Sequence, residues 1–407
     1  MSLTSPPPSL ATTFEDGVSS FGPGKALNND AMANDTGNKL EYVITMDILQ
    51  LYIYSYLDKL LVTVAMPIIF IIGVIGNASV IVVFVRIKTM RTVTNHYLIN
   101  LAIADMLFFL AAVPQFWILY ATSPVFADYK SISRPYCKLT MFATDVGIIV
   151  SGLTVIVVTL ERYVAICWPH KFKQLSTRPR AILVCGLIWL FTSLYKIPTI
   201  VFADLYNVNL VWPSSNETDF AGYPRTKVEC SYCLPRAHKP CDRFRFSLTV
   251  DQFLLLMVIP VTMVLYTLIV LQLQRLSKTS SLRGSAGSSS TRMKKQVVRM
   301  LIVTITVYII CITPFRLLNL FDIFQHRLPP DITWVLVNTA RIMMYTNSAV
   351  NPIIYNIMSD RYRHAFRQTF LCCIPSYVNV NGEASSDRKS KYTNNASTRF
   401  EYERSTR

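Results

Sequence analysis

The chain has 407 residues, of which 52% are hydrophobic and 16% are charged. Ordinary soluble domains carry about 25% charged residues, so this much apolar surface excludes a single water-soluble core without long apolar runs. The net charge of +16 suggests nucleic-acid binding in a soluble protein, but basic cytoplasmic loops in a membrane protein. Nine cysteines are too few for a disulfide scaffold of this size.

The chain begins with a polar segment, residues 1–57, whose Pro, Ser, Asn and Gly content predicts disorder. The first apolar run, 61–85, contains no charge, and a helix needs about 20 apolar residues to cross a bilayer. Because backbone groups in lipid need internal hydrogen bonds, such runs are predicted to be helices. Six further runs follow, at 97–120, 139–160, 181–203, 252–274, 300–321 and 332–358. Seven runs of this length disfavour the alternative, a large helical core in a soluble protein.

We therefore predict an all-α membrane protein, a seven-transmembrane helix bundle over residues 58–373. The segments after runs one, three, five and seven hold 3, 5, 7 and 9 Lys and Arg residues, together 24 of the 40. The positive-inside rule places these segments in the cytosol and the N-terminus outside the cell. We expect the plasma membrane as the location.

Two segments follow the last run. Residues 359–371 alternate basic and aromatic residues at helical spacing, which predicts a short amphipathic helix on the inner membrane surface. Residues 374–407 are predicted to form a disordered cytoplasmic tail. The loop 276–292 is rich in Ser and Gly and is predicted to be a connector on the same side.

Sequons and cysteines agree with this topology. Asn34 and Asn216 begin glycosylation sequons in segments predicted to lie outside the cell. The paired residues Cys372 and Cys373 follow run seven on the inner side, where palmitoylation is expected. Disulfides are expected among the outward-facing cysteines. These cysteines are Cys137, Cys230, Cys233 and Cys241.

Isolated polar residues and prolines inside the runs form an ordered set of motifs, and intramembrane polar residues are usually functional. The set comprises Gly76-Asn77 in span one, Leu101-Ala102-Ile103-Ala104-Asp105 in span two, Glu161-Arg162-Tyr163 in span three, Trp189 in span four, Cys311 and Pro314 in span six, and Asn351-Pro352-Ile353-Ile354-Tyr355 in span seven. Together these motifs resemble the rhodopsin-like (class A) G-protein-coupled receptors. Several shorter stretches are similar to the thyrotropin-releasing-hormone receptor and related neuropeptide receptors. These are Thr94 to Leu98, Glu161 to Cys167, Phe191 to Tyr195, Arg341 through Tyr345 to Ser359, and Ala365 to Arg367.

The resemblance implies a receptor rather than an enzyme, with a neuropeptide ligand, a heterotrimeric G protein of the Gq class and arrestin as partners. It also implies a disulfide from Cys137 to the outer loop, with Cys230 or Cys233 preferred over Cys241. The remaining alternative is a receptor for a small amine or another non-peptide ligand. An amine receptor would carry its carboxylate at Thr144 rather than at Asp145.

A polar cluster is expected in the middle of the membrane. One carboxylate surrounded by amides and hydroxyls suits a hydrated pocket, and the resemblance implies an allosteric sodium ion there, with no other cofactor. A structural hydrogen-bond network is a compatible interpretation. The cluster comprises Asn77, Asp105, Ser151, Asn347, Ser348 and Asn351.

An inner switch is expected around Arg162. Its guanidinium can pair with Glu161 or be released to a partner protein, and a snorkelling arginine is the simpler alternative. Prolines in spans six and seven are expected to act as hinges. The residues assigned to this switch are Glu161, Arg162, Tyr163, Tyr266, Pro314, Asn351, Pro352 and Tyr355.

The ligand pocket is expected between the outer halves of the helices. Buried arginine is costly unless it meets a carboxylate, carbonyl or amide. The resemblance implies that Arg341 binds the C-terminal carboxamide of a peptide, whereas the residues alone also allow an internal pair between Arg341 and Asp145. The residues assigned to the pocket are Gln115, Trp117, Thr144, Asp145, Phe315, Arg316, Asn319, Arg341 and Tyr345.

Two departures from the family pattern stand out. The thyrotropin-releasing-hormone receptor has a tyrosine and an asparagine where this chain has Asp145 and Ile149, so that hormone is not the expected ligand. Ile312 occupies the position at which most of the family has tryptophan. Activation is therefore expected to involve Phe315 and Tyr308 instead.

Overall fold

A bundle of long helices forms the body of the protein. The structure is a computed structural model, and it describes residues 40–46, 48–213, 220–232, 239–281, 288–323 and 330–370. Two short helices open the bundle, α1 (Leu49–Tyr52) and α2 (Tyr56–Leu60). A π-helical turn, Leu61–Ala65, joins α2 to α3. The helices that follow are α3 (Met66–Arg86), α4 (Val93–Thr122), α5 (Arg134–Cys167), α6 (Pro169–Leu175), α7 (Arg178–Tyr195), α8 (Ile197–Phe202), α9 (Lys239–Ser281), α10 (Ser288–Ile323), α11 (Pro330–Met358) and α12 (Asp360–Phe370).

The predicted seven-helix bundle is confirmed. Among the described residues, six helical segments are long and apolar enough to cross a bilayer. They are Tyr56–Arg86, Val93–Thr122, Arg134–Cys167, Arg178–Phe202, Phe246–Leu276 and Val298–Phe321. The seventh, α11, has 29 residues, or about 43 Å of helix, which exceeds the thickness of the hydrocarbon core. It is more polar than the others because it contains Asn338, Arg341, Asn347 and Asn351.

A small sheet accompanies the bundle, and the sequence analysis did not predict it. Strand β1 (Leu40–Val43) pairs in parallel with β2 (Ala203–Val211), and β2 pairs antiparallel with β3 (Thr226–Tyr232). A disulfide joins Cys137 at the start of α5 to Cys230 in β3, which confirms the expected link to the outer loop. We call the end of the bundle that carries the sheet the outer end.

Two predictions for segments outside the spans are wrong in part. Residues 40–57 were expected to be disordered, but they include β1 and two helical turns, because the sheet supplies hydrogen-bond partners that the segment lacks by itself. The predicted connector 276–292 is helical at both ends, since α9 continues to Ser281 and α10 begins at Ser288. The amphipathic helix expected over 359–371 corresponds to α12, which buries Tyr362, Ala365 and Thr369.

The core runs along the length of the bundle. Its largest cluster joins residues of α4, α5, α9, α10 and α11, including Phe109, Val158, Ile269, Tyr308 and Tyr355. Helix α3 approaches α4 at Gly73, where a Cβ atom would overlap the ring of Phe109. The side chains exposed on α7 and α9 are largely leucine, isoleucine and valine, as expected for helices that face lipid.

Candidate functional site

Three charged side chains form a buried network between α5, α7–α8 and α9. The Nζ atom of Lys196 lies 3.2 Å from Asp145 Oδ2 and is in direct contact with Asp251 Oδ2. All three side chains are at most 4% exposed, so the charges are held away from water. The hydroxyl of Tyr195 donates to Asp251 Oδ1 at 2.8 Å. Buried charges need such partners because their desolvation is expensive.

Asp145 also joins the helices to the sheet. Its Oδ2 accepts hydrogen bonds from Thr199 Oγ1 at 3.3 Å and from Tyr232 Oη at 3.4 Å. The cation that neutralises Asp145 is therefore Lys196 of span four. The pairing of Asp145 with Arg341 that the residues alone had allowed is wrong, because Asp145 is satisfied on the side of α5 that faces α8 and β3.

A second polar group lies between α9 and α10. Arg316 Nη1 donates to Gln252 Oε1 at 2.9 Å, and Asn319 Nδ2 donates to the same oxygen at 3.3 Å. Arg316 is 1% exposed, and its guanidinium also lies 5.8 Å from the ring centre of Phe315. Three predicted pocket residues therefore lie together on successive turns of α10.

Arg341 of α11 occupies a third polar group, near the outer end. Its Nη1 donates to Asn338 Oδ1 at 3.2 Å. Its guanidinium lies 5.4 Å from the ring centre of Phe116 and 5.9 Å from that of Phe126, both within the range of cation–π attraction. Aromatic faces and a side-chain carbonyl thus help to hold this cation.

Asp58 reaches the same group from the start of span one. A capping box fixes it, since Ser55 Oγ accepts from the Asp58 backbone at 3.1 Å and Asp58 Oδ2 accepts from the Ser55 backbone at 3.0 Å. The carboxylate accepts from Asn338 Nδ2 at 3.1 Å and from Trp334 Nε1 at 3.2 Å. Asn338 therefore bridges an anion of span one and a cation of span seven.

The segment before span one covers this end of the bundle. Lys227 of β3 is fully buried, 2.6 Å from Glu229, and its ammonium lies 5.1 Å from the ring centre of Tyr52 and 6.0 Å from that of Tyr42. Desolvation, with a smaller contribution from Glu229, raises the pKa of Tyr52 well above its usual value. The phenol thus stays neutral beside the lysine.

The first outer loop is attached to the same sheet. The Tyr129 backbone donates to Val228 O at 2.7 Å, and Asp128 Oδ1 accepts from the Val228 backbone at 3.0 Å. Burial raises the pKa of Tyr129 to about 12. These hydrogen bonds join the loop and the sheet into one surface.

The other predicted pocket residues differ in burial and in the elements that they contact. Tyr345 is buried and stacks on Phe108 with 5.0 Å between ring centres. Trp117 faces span one, because its Nε1 donates to Val62 O at 3.1 Å and its ring meets Phe70 at 5.2 Å. The structure thus makes Trp117 a contact between spans. Two further predicted residues, Gln115 and Thr144, are half-buried.

The predicted mid-membrane cluster is brought together around Asp105. Asn351 Nδ2 donates to Asp105 Oδ2 at 2.9 Å, and Ser151 Oγ lies 3.5 Å from Asp105 Oδ1. Asn77 Nδ2 donates to Ser348 O at 3.0 Å and so ties span one to span seven. Asn347 is buried beside Ser348 on α11. Carboxylate, hydroxyl and amide oxygens are ligands that suit a hard cation, so these residues fit a sodium ion.

Arg162 is paired with a residue of its own helix, α5, and with a residue of α4. Its Nε donates to Glu161 Oε2 at 2.6 Å, and its Nη2 contacts Thr94 Oγ1. Ser176 Oγ donates to Glu161 Oε1 at 3.3 Å. The hydroxyl of Tyr355 has no hydrogen-bond partner in the part of the chain that the structure describes, and its ring lies 5.9 Å from that of Tyr362. Tyr163 packs on Trp168, and Tyr266 is buried in the main core cluster.

A latch at the inner end was not predicted. Gln296 Nε2 of α10 donates to Met358 O and to Asp360 Oδ2, each at 2.9 Å. These bonds connect span six to the junction between span seven and α12. They hold the inner ends of the two helices together in the arrangement in which Arg162 is paired.

Several predicted residues lie outside the described ranges. They are Asn34, Asn216, Cys233, Cys372 and Cys373, together with the tail 374–407.

Sequence reasoning missed several side chains of these groups, among them Asp58, Lys196, Asp251, Gln252 and Asn338. Asp58, Asp251 and Gln252 lie at the outer ends of apolar runs, where a polar residue also ends a span by default. Lys196 lies inside the apolar run 181–203, but nothing in that run indicated two carboxylate partners on other helices. The signal that was available is that a lysine inside a span requires a carboxylate, and Asp251 is adjacent to the next run.

Comparison with known proteins identifies the family. Residues 76–355 match the family described as 7 transmembrane receptor (rhodopsin family). The human neuromedin-U receptor 2 is 32% identical over 308 residues, which covers 74% of this chain and 69% of that receptor. The chicken (Gallus gallus) thyrotropin-releasing hormone receptor is 30% identical over 328 residues, covering 74% of this chain and 76% of its own. The cholecystokinin receptor type A of Cavia porcellus is 27% identical over 396 residues, covering 82% and 86%.

These matches agree with the motifs at Asp105, Arg162 and Asn351 and with the disulfide between Cys137 and Cys230. The chain is a multi-pass membrane receptor rather than an enzyme, and it belongs to the rhodopsin family of seven-transmembrane receptors.

Proposed function

We propose that the protein is a neuropeptide receptor that activates a heterotrimeric G protein of the Gq class. The observation that carries the peptide assignment is a pair of arginines in the outer half of the bundle, the buried Arg316 and the half-buried Arg341. Peptides are rich in carbonyl acceptors, and a buried guanidinium needs such acceptors. The names of the relatives, which include receptors for neuromedin U and thyrotropin-releasing hormone, support the same class.

The contacts of Asp145 disfavour the alternative of an amine ligand. An amine ligand needs a carboxylate that is open to the pocket, but Asp145 is neutralised by Lys196 and bonded to Thr199 and Tyr232. A ligand ammonium would therefore have to displace a lysine that already lies between two carboxylates.

In the proposed mechanism, the ligand binds more tightly to the state in which the inner ends of spans five and six have separated. This difference in affinity shifts the population toward that state. Arg162 then leaves Glu161 and Thr94 and becomes available to the G protein. Two sets of contacts oppose this step: the pair of Arg162 with Glu161, and the hydrogen bonds of Gln296 to the α11–α12 junction.

Sodium and membrane orientation belong to the same proposal. A sodium ion at Asp105 would favour the arrangement in which Arg162 is paired with Glu161, with Ser151, Ser348 and Asn351 supplying further oxygen atoms.

The N-terminus and the sheet lie outside the cell, and the basic segments lie in the cytosol. Glycans on Asn34 and Asn216 and palmitate on Cys372 and Cys373 fit this orientation, with the phosphorylated tail binding arrestin.

A screen of amidated neuropeptides tests the function. Cells that express the full chain are assayed for calcium and cyclic AMP in parallel, with and without a Gq inhibitor. We expect a calcium response that the inhibitor abolishes. A response seen only as a fall in cyclic AMP would reject the Gq assignment, and a response to amines but to no peptide would reject the ligand class.

A further inference from the structure

Gln252 orients two buried side chains of α10. Its Oε1 accepts from Arg316 Nη1 at 2.9 Å and from Asn319 Nδ2 at 3.3 Å. A carbonyl oxygen has two lone pairs, so this acceptor is fully used. Arg316 is 1% exposed and Asn319 is 0% exposed, so neither side chain relies on bulk water.

The opposite edges of the same two side chains are unpaired. Arg316 Nε, Arg316 Nη2 and Asn319 Oδ1 have no hydrogen-bond partner among the residues that the structure describes. Buried donors and acceptors are normally satisfied, because an unmet group loses its hydrogen bonds to water without replacement. Two donor atoms of Arg316 and one acceptor atom of Asn319 are therefore free to form hydrogen bonds with a complementary group.

The chemistry of that group follows from the three atoms. A primary carboxamide has a carbonyl oxygen that accepts two hydrogen bonds and an NH₂ group that donates. It can accept from Arg316 and donate to Asn319 Oδ1. A carboxylate can pair with Arg316, but it has no hydrogen to offer Asn319 Oδ1.

The charges of the surroundings favour a neutral group. Arg316 and Lys196 are balanced by Asp145 and Asp251, which both act electrostatically on Arg316. An additional anion would leave one buried negative charge without compensation, which is costly in a low-dielectric site. A neutral carboxamide keeps the four charges balanced.

We infer that Arg316 and Asn319, held by Gln252, form a subsite for a primary carboxamide of the ligand. The group is either the C-terminal amide of a peptide or the side chain of Asn or Gln. This inference rests on the proposed peptide function and differs from the family resemblance, which assigns the carboxamide to Arg341. Arg341 is already engaged by Asn338 and by the rings of Phe116 and Phe126.

The subsite lies on α10 next to a proline. Pro314 precedes Arg316 by two residues and removes a backbone hydrogen bond from that turn. A change of bend at this proline would move Arg316 and Asn319 together, so carboxamide binding and the motion of span six are coupled.

Small probes test the subsite without knowledge of the natural ligand. The full chain in lipid nanodiscs is unfolded thermally with N-acetyl-L-phenylalaninamide, its methyl ester or its free acid, at about 10 mM for fragments of this size. We expect the amide to raise the unfolding midpoint by about 2 °C. The ester lacks N–H donors at that end and the acid adds a charge, so each should give less than half of this shift. N-acetyl-L-glutamine methyl ester carries the carboxamide on its side chain. A shift as large as that of the amide would indicate that an Asn or Gln side chain fits the subsite, and a smaller shift would indicate a C-terminal amide.

Matched variants locate the effect. Asn319→Leu should make amide and ester equal, and Arg316→Gln should remove the amide shift. The control Arg341→Gln should preserve the preference for the amide. The inference is wrong if wild type does not distinguish amide from ester, if the acid gives the largest shift, or if only Arg341→Gln removes the preference. The wild-type series decides even where a variant does not fold.

The two levels of the proposal fail separately. If no peptide activates the receptor but the amide preference depends on Asn319, the carboxamide subsite stands and the peptide assignment falls. If a peptide activates the receptor but the fragments behave alike, the function stands and the subsite is wrong.

Discussion

Asp58 and Asn338 are 280 residues apart in the chain, yet Asn338 Nδ2 donates to Asp58 Oδ1 at 3.1 Å. The other end of the Asn338 amide accepts from Arg341. One amide thus relays the charge of a carboxylate at the entrance of span one to the arginine of span seven. Asp58 acts on Arg341 through Asn338, so it is a positioning residue.

Asn338→Leu removes this relay. Arg341 then loses an acceptor and Asp58 loses a donor, and a hydrogen bond to a charged group contributes about 1.5–3 kcal/mol. We expect agonist potency to fall by roughly tenfold or more, since about 1.4 kcal/mol corresponds to tenfold. Thr339→Val, on the exposed side of the same helix, should leave potency unchanged. Concentration–response curves at equal surface expression measure both, and an unchanged potency in Asn338→Leu would contradict the relay.

Lys196→Met should destabilise the receptor strongly. Two buried carboxylates, Asp145 and Asp251, would lose their cation, and breaking a buried ion pair costs about 3–5 kcal/mol. We expect poor surface expression and a lower unfolding temperature in detergent. Adding Asp145→Asn and Asp251→Asn to Lys196→Met should restore much of the loss because the uncompensated charge is gone. If the triple variant is as unstable as the single one, packing rather than charge governs this network.

Gln296→Leu should increase signalling without ligand. The variant removes the two hydrogen bonds from span six to Met358 and Asp360. If each contributes about 0.5–1.5 kcal/mol to the closed state, the two together contribute about 1–3 kcal/mol, and basal nucleotide exchange should rise by roughly 5- to 150-fold. Gln274→Leu, at an exposed position near the inner end of α9, is the matched control. GTPγS binding in membranes measures the change, and equal basal rates in the two variants would exclude the latch.

The disulfide should stabilise the outer surface. Cys137 and Cys230 close a loop with a sequence separation of 93, and loss of such a native bond typically costs about 2–5 kcal/mol. The double variant Cys137→Ser, Cys230→Ser should therefore unfold at a lower temperature. Mass spectrometry of non-reduced peptides should find these two residues linked, and a free Cys137 in the folded receptor would contradict the pairing.

The positions of the helices could be predicted because the bilayer imposes a length and a polarity on each span. Runs such as 61–85 and 139–160 lie within the observed helical segments, and Asp105 and Arg162 contact the motif residues Asn351 and Glu161. The contact between Arg162 and Thr94 was not predicted. The ends were less predictable, since α9 and α10 continue beyond the apolar runs into a segment that lipid does not constrain.

What the sequence determined by itself is therefore the number and position of the spans, the receptor family and the residues that carry charge inside the spans. Which charges meet was decided only by the tertiary structure. Lys196, not Arg341, neutralises Asp145, because partners on different helices are chosen by the rotation and tilt of those helices. The same holds for the outer sheet, where residues 40–43 have no partner until β2 presents its edge. Packing geometry, which no single run of residues encodes, selects these contacts.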